Sequence, residues 1–270
     1  MTVIAGYLCT DGVVLVADSA ATLGVSGVQT ITQRVRKLQI IDDSLILGVS
    51  GPVGFAQRAT YHLGELWRDE QKKTFAATEV VPIMEKIRAK IWDSFLNVEI
   101  RVATVSKQLF GQASIQSSLA GFLIGAPMGD SFCLMQFDQQ AAPEAATEDL
   151  PFMTIGCIPR ITDTLLGFAR HHFWADRALN TGEAEFTLMW TLEEAIRLAP
   201  GGVSRPLEVA VLRKTESGDT FARKLPDVEL EEHRGKLQEF EKELPDRFNE
   251  WVSHTFGPAA AEGVSNPPTT

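Results

Sequence analysis

The spacing of apolar residues changes several times along the chain between that of strands and that of helices. The order of these strand-like and helix-like segments constrains the fold more than any other feature. Short β-rich runs broken by Asp-Gly and Asp-Asp-Ser turns fill the first fifty residues and predict four antiparallel strands. Apolar positions then recur at helical spacing over 55–66 and 80–98. Strands, a second helix pair and a closing hairpin follow. Because strands and helices are grouped rather than alternating singly, the order predicts an α+β fold of antiparallel sheets with paired helices on their outer faces.

The bounds of the remaining elements follow from the same patterns. A loop over 22–36 is predicted between the first two hairpins, because it carries Gly24 and Gly27. Thr78 is a candidate cap for the second helix, and Pro82 fits its first turn. The later strands are predicted at 119–125, 132–137, 152–156, 207–213 and 220–225, and the later helices at 162–177 and 182–198.

Charge and cysteine content narrow the class of protein. The 25 basic and 35 acidic residues give a net charge of -10, which disfavours nucleic acid and anionic membrane surfaces as partners. The apolar run over 119–126 is far shorter than the roughly 20 residues that span a bilayer, and no secretory signal is recognisable at the N-terminus. Cys9, Cys133 and Cys157 have no redox or zinc spacing. A cytoplasmic protein is therefore expected.

Metal and cofactor chemistry finds no support in the sequence. The adjacent His171 and His172 would point about 100° apart on a helix, so they cannot share a metal ion. The chain contains no glycine-rich phosphate loop. No metal and no cofactor are therefore expected.

The last forty-four residues differ in composition from the rest, so we expect one domain over 2–226 and an appendage after it. Nine acidic and four basic residues lie between positions 227 and 250. The segment 227–256 is predicted to be a charged helical extension, with Leu237, Phe240 and Leu244 on one side and a break near Pro245. It is either a solvated surface helix or an element that packs on a neighbouring subunit. The tail 257–270, rich in Ala, Gly and Pro, is predicted to be disordered.

Thr2 is the position with the most distinctive chemistry. Threonine is small enough for a preceding methionine to be removed, and Met1 precedes it. A free N-terminal threonine carries a hydroxyl and an α-amine, whose pKa is about 8, in the same residue. Such an amine can act as the general base without a histidine. Threonine is common at this position, so the residue alone indicates little.

Several short sequence segments support a catalytic role for Thr2. Together, and in this order along the chain, they strongly resemble proteasome β-type subunits of the N-terminal nucleophile hydrolase superfamily. The match is dense over residues 2–57 and weaker but in phase at 154–157 and 207–212. The dense strings are Thr2-Val-Ile-Ala-Gly6, Asp11-Gly-Val-Val-Leu-Val-Ala-Asp18-Ser19, Lys37-Leu-Gln-Ile-Ile-Asp42 and Val49-Ser50-Gly51-Pro-Val-Gly54-Phe-Ala-Gln57.

The resemblance implies a four-layer αββα sandwich of two antiparallel sheets flanked by helix pairs. It also implies a threonine-type endopeptidase that hydrolyses peptide bonds inside a self-compartmentalising homo-oligomeric ring. The Thr2 hydroxyl would be the nucleophile, and Lys37 would lower its pKa. Asp18 would hold Lys37 cationic, and the N–H of Gly51 would stabilise the oxyanion.

The chain also departs from the family pattern around the nucleophile. Cys157, in Gly156-Cys157-Ile158, stands where the family has the serine of a Ser-Gly-Ser turn, and would replace it as a weaker hydrogen-bond partner. Ser204 is only a partial substitute for the family's Asp-x-x-Ser, and Ala20 replaces an arginine. Activity on ordinary peptides is therefore expected to be low.

The start at Met-Thr, without a propeptide, and the acidic extension are similar to the stand-alone bacterial homologues, the Anbu group and the β-proteobacterial proteasome homologue. The substrate would be a peptide or unfolded protein, and an ATP-dependent unfoldase partner stays open. Two other functions stay open as well. The ring could be a weak or inactive scaffold or binding chamber, or it could be an amidase acting on small amides.

Overall fold

A computed structural model describes residues 2–25, 28–71, 79–91, 120–138, 142–199, 203–215 and 218–256, with isolated positions between 93 and 108. The chain divides into two compact units, Met1–Pro226 and Asp227–Thr270. The first unit contains two five-stranded antiparallel sheets, a separate hairpin and four helices among the described residues. The described part of the second unit is one helix, α5 (Asp227–Phe256).

The first sheet carries the N-terminus of the chain. Its strand order is β10-β1-β2-β11-β12, and every neighbouring pair is antiparallel. Its strands are β1 (Val3–Leu8), β2 (Gly12–Asp18), β10 (Phe152–Gly156), β11 (Leu207–Lys214) and β12 (Thr220–Lys224). β1 and β2 are buried almost throughout, which explains their nearly continuous apolar sequence.

The second sheet has the order β5-β6-β7-β8-β9 and is also antiparallel. Its strands are β5 (Leu38–Ile41), β6 (Leu45–Ser50), β7 (Gly121–Met128), β8 (Ser131–Phe137) and β9 (Pro143–Ala145). β5 lies at one edge of this sheet, which matters for the site described below.

Helix pairs cover the outer face of each sheet. Four helices form the pairs: α1 (Val53–Gln71) with α2 (Val80–Ile91), and α3 (Pro159–Trp174) with α4 (Thr181–Leu198). The first pair packs on the second sheet through a core that includes Phe55, Ile87 and Phe122. The second pair packs on the first sheet. A separate core that includes Leu15 and Leu123 fills the space between the sheets. The predicted α+β sandwich with αββα layers is therefore confirmed.

The predicted loop over 22–36 is wrong. Residues 20–34 form a hairpin of β3 (Ala20–Val25) and β4 (Val28–Arg34), with a register shift between Leu23 and Gly24. The first fifty residues thus hold six strands rather than four. The glycines suggested a loop, but the alternating Val, Thr and Ile of β4 favour strand, and a bulge accommodates the irregularity beside Gly24.

The helices agree with the sequence pattern except at their ends. α3 begins at Pro159, where the proline occupies a first-turn position, and ends before Ala175 in the left-handed conformation. The break predicted near Pro245 is wrong, because α5 continues through it. A proline removes a single helical hydrogen bond, and the Arg247–Glu243 pair at 2.8 Å spans the position. Thr78 and the tail 257–270 lie outside the described residues.

None of the helices in the described part of the chain is both long enough and apolar enough to cross a membrane.

Candidate active site

Two strands fix the position of Thr2 at the start of β1. Val3 pairs with Gly156 of β10, and the carbonyl of Thr2 accepts the N–H of Cys157 at 2.8 Å. Gly156 has a φ of 123°, and a Cβ added there would lie 1.9 Å from the Thr2 carbonyl oxygen. Glycine is therefore required at this position, both for the backbone conformation and for the close approach of the two strands.

Asp18, the last residue of β2, connects the start of β1 to a lysine. Its side chain is fully buried. One oxygen, Oδ1, accepts the N–H of Val3 at 2.8 Å and Lys37 Nζ at 2.6 Å, and Oδ2 accepts the N–H of Ala20 at 3.3 Å. A buried carboxylate needs such donors, and here they come from the start of β1, the start of β3 and the residue before β5.

Lys37, the residue before β5, is the cation of this pair. Its side chain is 5% exposed, and the Nζ–Oδ1 distance to Asp18 is that of a short charged hydrogen bond. Burial lowers the pKa of Lys37, while the charges of Asp18, Cys157 and Glu208 oppose that shift. A lysine with a lowered pKa beside a candidate nucleophile is typical of a functional site.

The remaining predicted residues lie at the same end of the sandwich. Cys157 follows β10, is exposed and bonds Thr2 through its backbone. Gly51 follows β6 directly, with a φ of 151° that favours glycine. The N–H of Val49, two residues earlier, donates to the carbonyl of Lys37 at 3.2 Å. Hydrogen bonds thus join Lys37 to Asp18 and Cys157 to Thr2, and Asp18 reaches β1 at Val3, the residue after Thr2. Gly51 follows the strand end that is bonded to Lys37.

The segment before β11 supports the Asp18 end of β2. Both the N–H and the hydroxyl of Ser19 donate to the carbonyl of Pro206, at 3.1 and 2.7 Å. Ser204, considered above as a partial substitute, lies in this segment and is half-buried. Arg205 in turn pairs with the buried Glu193 of α4. The segment is therefore tied both to β2 and to a helix.

Two residues of the site were missed by the sequence analysis. Glu208 of β11 accepts the backbone N–H of Lys37 at 3.3 Å, and Lys224 of β12 pairs with Glu208 at 3.3 Å. Glu208 is buried within a strand whose neighbouring positions are apolar. A single charged residue within an apolar strand sequence could have identified Glu208 as a candidate site residue.

The other candidate groups are structural in the described residues. No group of three or more His, Cys, Asp or Glu side chains that could hold a metal ion occurs there. His171 pairs instead with Asp176 at 2.8 Å. Cys9 and Cys133 are buried, and burial raises the pKa of Cys133 to about 12 and that of Cys9 well above its usual value. Neither thiol is suited to nucleophilic chemistry.

Comparison with known proteins gives a fold assignment. No family model matches the chain, and no curated protein matches it in sequence. Solved structures of Anbu proteins are similar to it. An Anbu (Gly-1) mutant from Hyphomicrobium sp. strain MC1 superposes with a TM-score of 0.64 at 16% identity, covering 92% of this chain and 97% of that one.

Two further Anbu structures agree. Anbu (ancestral beta-subunit) from Yersinia bercovieri gives a TM-score of 0.64 at 14% identity, with 92% of this chain and 97% of that chain covered. The helical assembly of the Anbu complex from Pseudomonas aeruginosa gives 0.61 at 16% identity, with 97% and 100% covered. The chain therefore has the Anbu fold, in agreement with the proteasome-like sandwich that its sequence strings implied.

Proposed function

We propose that this chain is an Anbu-type proteasome homologue and a threonine peptidase that uses the Thr2 hydroxyl as nucleophile. The observation that carries the proposal is the buried Lys37–Asp18 pair, whose carboxylate also binds the N–H of Val3, next to Thr2. Burying an ion pair costs more desolvation energy than burying an apolar pair of the same size. Stability alone is therefore a poor reason for such a pair beside Thr2, whereas activation of a hydroxyl is a good one.

In the proposed reaction, removal of Met1 frees the Thr2 α-amine. The amine accepts the hydroxyl proton as Oγ attacks the carbonyl carbon of the scissile peptide, so an Oγ–C bond forms and the carbonyl oxygen becomes an oxyanion. The Gly51 N–H would donate to that oxyanion. Lys37 remains cationic and lowers the hydroxyl pKa by its charge.

The second half of the reaction returns every proton. The α-ammonium gives its proton to the leaving amine as the C–N bond breaks, which leaves an ester on Thr2. A water molecule then attacks the ester, with the amine accepting its proton, and the product acid departs as Oγ is protonated again. No group beyond the chain and water is needed.

Assembly is the second part of the proposal. The Pseudomonas aeruginosa protein forms a helical assembly, and this chain shares its fold. We infer a homo-oligomer whose subunits enclose the Thr2 sites, which would restrict the substrates to peptides and unfolded chains. An ATP-dependent unfoldase is a partner class compatible with such a chamber.

The extension 227–256 is proposed as an assembly element. Its sequence has an apolar stripe of Leu237, Phe240 and Leu244 on a highly charged helix. Leu237 is buried, whereas Leu244 is 43% exposed, and contacts between subunits would cover the Leu244 end of the stripe. Truncation after Leu225 is expected to reduce the number of subunits per oligomer, obtained from the light-scattering mass divided by the subunit mass. Truncation after Phe256, which removes only the tail, is the control and should leave that number unchanged. The same number of subunits in all three proteins would contradict this role.

Intact mass spectrometry with a peptide epoxyketone tests the catalytic proposal. The reagent closes a ring with both the hydroxyl and the free amine of an N-terminal threonine, so an adduct requires that Met1 is absent. We expect one adduct per chain in the wild type and none in Thr2→Ala. Because Cys157 is an exposed thiol, Cys157→Ala is the control that must keep the adduct. Active protein that retains Met1 would overturn the self-base mechanism.

The altered surroundings of Thr2 favour a second candidate. Cys157 stands where the family has a serine, and a thiol is a weaker hydrogen-bond partner. A scaffold or binding chamber with negligible turnover follows if purified protein keeps Met1 and forms no adduct. Turnover of small amides without turnover of peptides would instead indicate an amidase.

A further inference from the structure

Glu208 is an acidic residue in the core of the sandwich. It lies on β11, directly opposite Ala17 of β2, and the residue is 8% exposed. The strand on either side of it is apolar and buried. A carboxylate in such a place is costly unless it is paired and hydrogen-bonded, so its partners indicate what it is for.

Those partners are the backbone at the start of β5 and a lysine at the end of β12. Glu208 Oε1 accepts the backbone N–H of Lys37 at 3.3 Å, and Oε2 pairs with Lys224 Nζ at 3.3 Å. Lys224 Nζ also donates to the carbonyl of Leu38. Among the described residues β5 is an edge strand of the second sheet, so no described strand pairs with its outer side. The Glu208–Lys224 pair supplies hydrogen bonds to this strand start from the first sheet, and we name it the inter-sheet clamp.

We propose, on the basis of the proposed function, that the inter-sheet clamp positions Lys37 for its action on Thr2. Glu208 and Lys224 hydrogen-bond to the backbone of two consecutive residues at the start of β5. The first of these two residues is Lys37 itself. Asp18 holds the side chain of Lys37, and the clamp holds its backbone. Glu208 is thus a positioning residue rather than a catalytic one, because it acts through Lys37.

The clamp also affects the charge of Lys37. The groups that act on this ammonium are Asp18 on β2, Glu208 on β11 and Cys157 after β10. The freed Thr2 amine would add a titratable group just before β1, and Lys224 faces the start of β5 from β12. Burial lowers the pKa of Lys37 and the Glu208 charge opposes that shift, so removing this charge lowers the pKa further. Lys37 would then lose its proton at a lower pH.

The test uses three full-length variants. Glu208→Gln keeps an oxygen that can accept the Lys37 N–H but removes the charge. Lys224→Met removes the bond to Leu38. Lys214→Met is the matched control, since Lys214 lies on the same hairpin, is similarly exposed and binds the carbonyl of Asp130 instead. Light scattering of each variant confirms that it assembles as the wild type does.

Two readouts are needed, and one of them does not depend on Thr2. Trace acetylation with acetic anhydride across a pH series, followed by peptide mass spectrometry, gives the titration midpoint of the Lys37 amine. The rate of Thr2 acylation by a β-lactone over the same series gives the pH profile of the nucleophile. In Glu208→Gln we expect a lower Lys37 midpoint and an alkaline decline of labelling that begins at lower pH.

In Lys224→Met we expect labelling at neutral pH to slow by about threefold or more, the size of coupling typical within one network, with no fall in the Lys37 midpoint. Lys214→Met should match the wild type in both readouts. If the wild type is labelled at Thr2 but Glu208→Gln and Lys224→Met both match Lys214→Met, the clamp proposal is wrong and the proposed function stands. If no protein is labelled yet Glu208→Gln lowers the Lys37 midpoint, the proposed function fails while the effect of the clamp on Lys37 is supported.

Discussion

The two ends of β1 use charged residues in opposite ways. At the Thr2 end, the side chains of Asp18 and Lys37 are 0% and 5% exposed, and Glu208 is nearly as buried. At the far end, beyond Leu8, the paired side chains of Arg177 and Glu183 are 50% and 25% exposed. Water solvates the charges at the far end, whereas those near Thr2 rely on one another.

The partners of these groups explain the difference. At the far end, Asp11 binds the N–H and hydroxyl of Thr181, and Asn180 with Glu183 forms a capping box at the start of α4. These contacts satisfy backbone groups of a helix terminus and have a structural purpose. The Thr2 end also contains helix starts, at Val53 of α1 and Pro159 of α3, but the hydrogen bonds of Asp18 and Glu208 go instead to the strand starts at Val3, Ala20 and Lys37. Its buried charges converge on a strand start and a lysine, which favours a chemical role over a structural one.

Replacing Lys37 should give the largest change. Lys37→Met removes the cation while roughly preserving volume, and we expect Thr2 labelling by a β-lactone to fall by about 10²–10³-fold, the range for loss of one electrostatic stabiliser. It also leaves the Asp18 carboxylate buried without its cation, which should cost about 3 kcal/mol or more in unfolding free energy. Chemical denaturation and labelling rates measure the two effects separately.

The double variant Asp18→Asn/Lys37→Met is the control for that experiment. It removes both charges, so most of the lost stability should return while labelling stays as slow as in Lys37→Met. A double variant that regains labelling would show that the pair serves folding alone.

The glycine beside Thr2 gives the next largest effect. In Gly156→Ala the new Cβ would collide with the Thr2 carbonyl, in a backbone conformation that disfavours any side chain, and we expect a loss of about 3 kcal/mol or more in stability. Gly218→Ala is the matched control, because Gly218 has a φ of 89° but open space around its Cα, and should cost about 1 kcal/mol. Equal losses would mean that the two strands can separate at Gly156 without penalty.

Much of the sandwich could be predicted from the sequence because its signals are local. Alternation, turn residues and helical spacing identified β1, β2 and both helix pairs. The β3–β4 hairpin was missed because two strands that form their own small sheet leave only a weak pattern. The continuity of α5 through Pro245 was missed because the preference of one residue does not decide a long helix.

The site was only partly predictable, since its contacts are far apart in the chain. Lys37 lies 19 positions after Asp18 in the sequence, and no rule of residue spacing predicts that they pair. Only the resemblance of the surrounding segments to a known family predicted the pair. Glu208 lies 171 residues from Lys37, on the other sheet. Such a contact depends on how two sheets stack, which the pattern of a single strand does not encode.

Tyr7 offers a smaller test between the two ends. Its hydroxyl is buried without a hydrogen-bond partner among the described residues, and burial raises its pKa to about 12. Tyr7→Phe removes an unsatisfied polar atom, so we expect unfolding free energy to stay equal or to rise by up to about 1 kcal/mol. Thr2 labelling should not change. A clear loss of stability would show that the hydroxyl has a partner, such as a buried water molecule.

The smallest effect is expected at the far end, from Arg177→Met. Its guanidinium binds both carboxylate oxygens of Glu183, at 2.9 and 2.6 Å, and lies 4.8 Å from the centre of the Trp174 ring. Exposed pairs of this kind contribute little, and salt weakens them further. We therefore expect a fall in the thermal midpoint much smaller than those of Lys37→Met and Gly156→Ala. High salt should abolish this fall, and Thr2 labelling should not change.

The stability difference between wild type and Arg177→Met should decrease as the pH falls. The hydrogen bond from Arg177 holds the pKa of Glu183 below its usual value. A carboxylate with a lowered pKa in the folded state stabilises the protein above its unfolded pKa, and this contribution is lost as the pH falls through the folded value. The difference between wild type and Arg177→Met should thus be present at neutral pH and vanish on acidification below the ordinary range of glutamate. Glu183→Gln, which retains an oxygen for the capping box, should show the same pattern. A difference that persists in acid would instead assign it to packing of the arginine on Trp174.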